Sequence, residues 1–164
     1  MTMQSPEILL KSLNKALRRL RGACTVLDNE DVDDSLLDAM RRLLLAEILG
    51  NTWIVAMGGS QGAGKTTLMA SMYDLRADGP QWLQGNEGRG EKMPVLILEE
   101  DGTSEPQGYV RRLTADDDSK NFKLEDVKVD VMEFQRAVCD PNANDLLPIL
   151  RVPRRYFKRD TQAW

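Results

Sequence analysis

Three observations predict an α/β fold. A short apolar run, Trp53-Ile54-Val55-Ala56-Met57, ends in Gly58-Gly59 and leads into a helical stretch from Thr66 to Leu75. A second run, Pro94-Val95-Leu96-Ile97-Leu98, has the length and apolar character of a buried strand. Ahead of both, residues 1–50 carry helical periodicity and no strand alternation. The expected division is a helical segment over 1–50 and an α/β domain over 51–164.

Taken in order, Ser5-Pro6-Glu7 is a helix start, with a hydroxyl cap, a proline at the first helical position and an early acid. Leu10, Leu13, Leu17, Leu20 and Cys24 then form a narrow apolar stripe, opposite Lys11, Lys15, Arg18, Arg19 and Arg21. The acidic stretch Asp28–Asp34 reads as a solvated turn. Ser35-Leu36-Leu37-Asp38 resembles a capping box for a second helix, which Leu37, Met40, Leu44 and Ile48 face inward and Gly50 ends. Between the two apolar runs, Asp78 to Lys92 is a long loop rich in glycine and charge. Residues 103–126 are polar and are predicted as loop with a little helix around Tyr109–Leu113. Val127, Val129 and Val131 alternate with polar residues as a half-exposed strand. A helix follows over Phe134–Cys139, stopped by Asp140-Pro141. The apolar stretch Leu146–Val152 is interrupted by Pro148 and Arg151.

Composition removes several classes of chemistry. The chain has 164 residues and no histidine, so imidazole catalysis, Ser-His-Asp triads and histidine zinc sites are excluded within it. Cys24 and Cys139 have neither CxxC spacing nor a disulfide framework, and are expected reduced and partly buried in a cytoplasmic setting. With 22 basic and 26 acidic residues the net charge is −4, which disfavours bulk electrostatic binding of nucleic acid. No apolar run reaches the length of a membrane span.

One motif carries chemistry. Gly59-Ser60-Gln61-Gly62-Ala63-Gly64-Lys65-Thr66 fits GxxxxGK[ST] at every fixed position and sits between a predicted strand and a predicted helix. A phosphate chain lies where several backbone N–H groups converge, and the glycines admit both that approach and the unusual backbone angles it needs. The helix start adds donors and a positive dipole end. Lys65 is expected to reach the outer phosphates, Thr66 to ligate Mg²⁺ and Thr67 to contact the inner phosphates. The predicted architecture is therefore a P-loop three-layer α/β fold preceded by a helical pair, binding a nucleoside triphosphate, GTP or ATP, with Mg²⁺.

The cradle, with Gln61 as its third residue, resembles that of the dynamin-like large GTPases. Leu83-Gln84-Gly85, Gly88 and Pro94–Leu98 look like the switch loop and following strand of that family, and Ile8–Leu20 looks like its leading helix. The resemblance spans roughly residues 5–100. It implies GTP as ligand, with Gln61 helping to position the transition state beside Lys65. It also implies a serine where Gly62 stands and a switch threonine where no threonine occurs between Thr67 and Thr103. These departures bear on hydrolysis and leave binding intact.

Other readings stay open. Glu99-Glu100-Asp101-Gly102 reads as a DxxG variant, with Phe157-Lys158-Arg159-Asp160 as a guanine-selecting segment; the favoured alternative makes Glu99–Asp101 a solvated strand end and puts the acid on a strand beyond Trp164, the 51–164 domain being partial. An ATP-using kinase, for which Arg111 and Arg112 are candidate helper arginines, an AAA-like or STAND-like ATPase, and a non-hydrolysing switch use the same cradle. The N-terminal helices offer a surface for self-association or a partner protein. Arg151, Arg154, Arg155, Lys158 and Arg159, with Tyr156 and Phe157, form a basic-aromatic cluster. It is read first as a solvated surface, and alternatively as a contact for nucleic acid or membrane lipid.

Overall fold

The computed structural model describes residues 6–25, 29–49, 55–60, 62–75, 81–83, 92–116 and 119–157. The chain is α/β and falls into two compact units. One comprises Met1–Ala56 with Arg112–Glu125, the other Met57–Arg111 with Asp126–Trp164. Among the described residues, no helix is long and apolar enough to cross a membrane.

In the first unit, α1 (Pro6–Cys24) and α2 (Glu30–Leu49) pack together. Pro6 opens α1 as its position predicts. The burial of α1 is not the expected one: Asn14, Arg21 and Gly22 are buried, while Leu13 and Leu20 are 42% and 48% exposed. Polar anchors set the seam. The Asn14 amide donates to Glu47 at 3.1 Å, and the Arg21 guanidinium forms a two-pronged pair with Asp33 at 2.8 Å for each prong. Arg21 also lies 5.0 Å from the centre of the Phe122 ring, so its buried charge has both an anion and a π face. The second helix begins at Glu30, earlier than the predicted start at Ser35. Asn29 caps it by accepting the Val32 N–H at 3.2 Å, and Glu30, Asp31 and Asp33 fall in the first turn, where the helix dipole favours acids. Leu37, Met40 and Leu44 supply its buried face.

The strands are β1 (Leu96–Glu100), β2 (Gln107–Asp116), β3 (Ser119–Val129) and β4 (Asp145–Pro153). They form one mixed sheet in the order β1-β4-β2-β3. The edge strand β1 runs parallel to β4, with Leu96 opposite Ile149 and Glu100 opposite Pro153. Cross-strand bonds from Arg111 to Asp126 and from Thr114 to the Lys123 carbonyl converge on the 117–118 connection, as in an antiparallel hairpin. The predicted loop over 103–126, with its helix at Tyr109–Leu113, is therefore corrected to the two longest strands. Charged side chains on their half-buried face, Arg111 with Asp126 above all, hide the alternation that marks a strand.

Two further helices belong to the second unit: α3 (Lys65–Met72) and α4 (Val131–Cys139). Val131 opens α4 and does not continue the strand as predicted, because the Asp130 side chain caps the Glu133 N–H at 2.8 Å. The core gathers Ala70, Tyr73, Leu75, Trp82, Val110, Val129, Phe134, Ala137, Val138, Leu150 and Val152. Trp82 meets Phe134 edge-on at 5.6 Å, over Gly108. A Cβ at Gly108 would lie 3.0 Å from Phe134 and closer still to Trp82. Arg151 and Pro148 do not break the last apolar stretch. Residues 145–150 are buried throughout, and Arg151 lies over the Tyr109 ring at 4.3 Å.

The strand predicted over Trp53–Met57 lies partly outside the described residues, which exclude 51–54. The remainder is corrected: Val55, Ala56 and Met57 are exposed and belong to no strand, with Val55 73% exposed. The sheet thus has no described strand leading into the glycine-rich loop.

Candidate functional site

The loop 59–64 turns on glycine. Gly59, Gly62 and Gly64 have φ of 147°, 81° and 79°, a range that residues with a Cβ rarely adopt. Space is not what selects glycine at Gly62 and Gly64, since a Cβ at either would meet nothing within 4 Å. Backbone conformation selects it there, and the surface in front of both residues is open. The Ala63 N–H donates to the Ser60 carbonyl at 3.3 Å and tightens the turn. Gly64 is the left-handed N-cap of α3, with no side-chain cap, and helical bonding starts with the Leu68 N–H to the Gly64 carbonyl at 2.8 Å.

Lys65 closes the loop on itself. Its Nζ donates to the carbonyls of Gly59 and Ser60, each at 2.8 Å, so the first helical residue reaches back to the beginning of the motif. The ammonium is thereby held at the loop by two oxygens of fixed position. Lys65 and Thr66 are half-buried, while Gly59, Ser60, Gly62, Ala63, Gly64 and Thr67 are exposed. The structure thus brings together every predicted cradle residue except Gln61, which lies outside the described residues, as do Lys158, Arg159 and Asp160 and most of the predicted long loop and switch segment.

The acids Glu99, Glu100 and Asp101, at the end of β1 and just past it, bond elsewhere. Glu99 faces the last turn of α3, where it accepts the Tyr73 hydroxyl at 3.1 Å and the N–H groups of Tyr156 and Phe157 at 2.9 and 2.8 Å. Burial pushes the Glu99 carboxyl up, but the amides of Phe157, Tyr156 and Arg155 and the Tyr73 hydroxyl outweigh it, and the group sits below the ordinary glutamate value. Tyr73 moves the other way: burial, then the Glu99 charge, raise it to about 12. Glu100 pairs with Arg151 and Asp101 with Arg154. The favoured reading of Glu99–Asp101 as a solvated strand end is corrected for Glu99, a carboxylate bound by the Tyr73 hydroxyl and by backbone N–H groups of the chain after β4. No short sequence motif announces that role, because its partners lie 26, 57 and 58 residues away.

The basic-aromatic cluster is likewise tied to the chain. Arg151 meets Glu100 and Asp126, Arg154 meets Asp101, and Arg155 meets Asp74. Its described cations are thus matched by acids of the same unit. Arg111, a candidate helper arginine, is paired with Asp126 at 2.6 Å on the sheet. Cys24 and Cys139 are free and half-buried. Among the described residues, no group of three or more acidic or cysteine side chains could hold a metal ion.

Comparisons with protein-family models, curated proteins and solved structures give no match to this chain.

Proposed function

We propose that the chain binds a nucleoside triphosphate with Mg²⁺ at the loop Gly59–Thr67, with GTP favoured over ATP through the resemblance to dynamin-like large GTPases. The observation that carries this reading is the closed loop, in which three glycines at positive φ bend the backbone round a Lys65 ammonium bound to two loop carbonyls, at the start of a helix. Such a loop suits a polyphosphate through backbone donors, a held cation and a helix dipole end, with open space at Gly62 and Gly64. The Thr66 hydroxyl suits a hard ion that keeps water and phosphate oxygens as its other ligands. The described residues hold no acidic cluster for a metal, so on this reading the ion arrives with the triphosphate.

By the same resemblance, Gln61 would position the transition state and Lys65 would stabilise charge on the leaving phosphates. A second reading, binding without turnover, is favoured by one observation: Glu99, the nearest acid in sequence to a Walker-type strand end, is committed to Tyr73, Tyr156 and Phe157.

Thermal unfolding tests the binding. Millimolar Mg²⁺ with GTP or ATP raises Tm in the wild type, and Lys65→Ala removes the rise. A folded wild type that shifts with neither nucleotide overturns the reading. Competition between GTP and ATP ranks the ligands, and phosphate release separates an NTPase from a switch. Turnover that needs a third molecule identifies a kinase.

A further inference from the structure

The helix that starts at the cradle has little of its own surface in the core. Of α3, only Ala70 is fully buried, while Thr67, Leu68 and Ser71 face outward. Met69 and Met72 pack against the core from its inner side, and its far end is held by polar bonds as well. The chain leaving β4 turns over that end through Arg154–Phe157. The Tyr156 hydroxyl donates to the Met72 carbonyl at 2.9 Å, and its ring meets Tyr73 edge-on at 5.5 Å. Arg155 pairs with Asp74 and reaches the same Met72 carbonyl. A helix leaves its last carbonyls without helical donors; the N–H groups of Tyr73, Asp74 and Leu75 take those of Met69, Ser71 and Ala70, and the returning segment supplies the donors for Met72. Glu99 in turn fixes the segment by accepting its two N–H groups together with the Tyr73 hydroxyl. One carboxylate thus joins the end of β1, the returning segment and the last turn of α3.

We propose that Arg154–Phe157 is a clamp that sets the seating of α3, and with it the cradle at the opposite end, so that Glu99 and Tyr156 are positioning residues for polyphosphate binding. The proposal rests on the nucleotide-binding reading. Its physical basis is the stiffness of a helix of eight residues, about 12 Å long, along which a displacement at one end is carried to the other. Linkage then makes the effect reciprocal: a clamp that favours the binding-competent loop is itself tightened by the ligand, by the same factor.

The test uses Mg²⁺ with inorganic tripolyphosphate as probe, and reads hydrogen exchange at the Tyr156 and Phe157 amides beside calorimetric affinity. In the wild type, saturating probe slows both amides about fivefold or more. Tyr156→Phe and Glu99→Gln bind the probe more weakly, by no more than the factor seen in exchange. Asp126→Asn, which disturbs the ion network on the sheet, leaves both readouts unchanged. If the wild type binds but the two amides exchange as before, or if both variants bind as tightly as the wild type, the clamp is overturned and the nucleotide reading stands. If the wild type binds neither tripolyphosphate nor nucleotide, both fall. The exchange arm needs no substitution, so a variant that fails to fold does not remove the test.

Discussion

Gly108 has no positive φ and belongs to no motif, yet its missing side chain admits the edge-on pair of Trp82 and Phe134. Gly108→Ala is expected to destabilise the chain by about 1–3 kcal/mol through overpacking, read as a lower midpoint in urea. Trp82→Phe in the same background makes room and recovers part of the loss. Asp126 shows how charge acts at this scale. The Arg111 side-chain hydrogen bond lowers its carboxyl most, burial opposes this, and the charges of Arg111 and Arg151 add to the lowering. A depressed carboxyl contributes stability that is fully present above its ordinary value of 3.8 and is lost as pH falls below it. The wild type therefore loses stability as pH falls through that range, and Asp126→Asn flattens part of this loss. Arg111 and Asp126 are 15 residues apart, so nothing in their local sequence marks them as a pair.

Among the elements, the helix ends show what local chemistry decides. Asp130 caps α4, with Glu133 at the third helical position, and Asn29 caps α2 in the same way. Asp130→Ala or Asn29→Ala should each cost about 1 kcal/mol in chemical unfolding, while Asp130→Asn is nearly neutral. The early start of α2 follows from Asn29 together with three first-turn acids, which a reading of that stretch as a solvated turn overlooks. Pro6, the α1 periodicity and the Asp140-Pro141 stop are legible from sequence because each acts within a turn or two. The hairpin β2–β3 is not legible in this way. Its two strands carry Arg111, Lys123, Glu125 and Asp126, so polarity mimics a loop until the ion pairs are seen.

For the molecule as a whole, ligand binding and stability are coupled by mass action. On the proposed nucleotide-binding reading, a triphosphate at about 100 times its Kd should add about 2.7 kcal/mol, which for a chain of this size is a rise of roughly 5–10 °C in Tm. Lys65→Ala should abolish the rise while leaving the unliganded Tm within about 2 °C, because Lys65 is half-buried and bonds only its own loop in the described contacts. The glycine loop that opens α3 was readable from the sequence, since Gly59, Gly62, Gly64 and Lys65 act within a short stretch of chain, where spacing in sequence is spacing in space. The α/β class was readable too, from the helical periodicity of the first 50 residues and from the apolar run Pro94–Leu98, whose last three residues begin β1. Tertiary structure alone decided that Glu99 holds the returning chain, that Arg154 and Arg155 answer acids in their own unit, and that the run before the cradle contributes no described strand to the sheet. The first two outcomes depend on partners 50 or more residues apart, and a hydrogen bond formed across that separation leaves no period or spacing in the sequence.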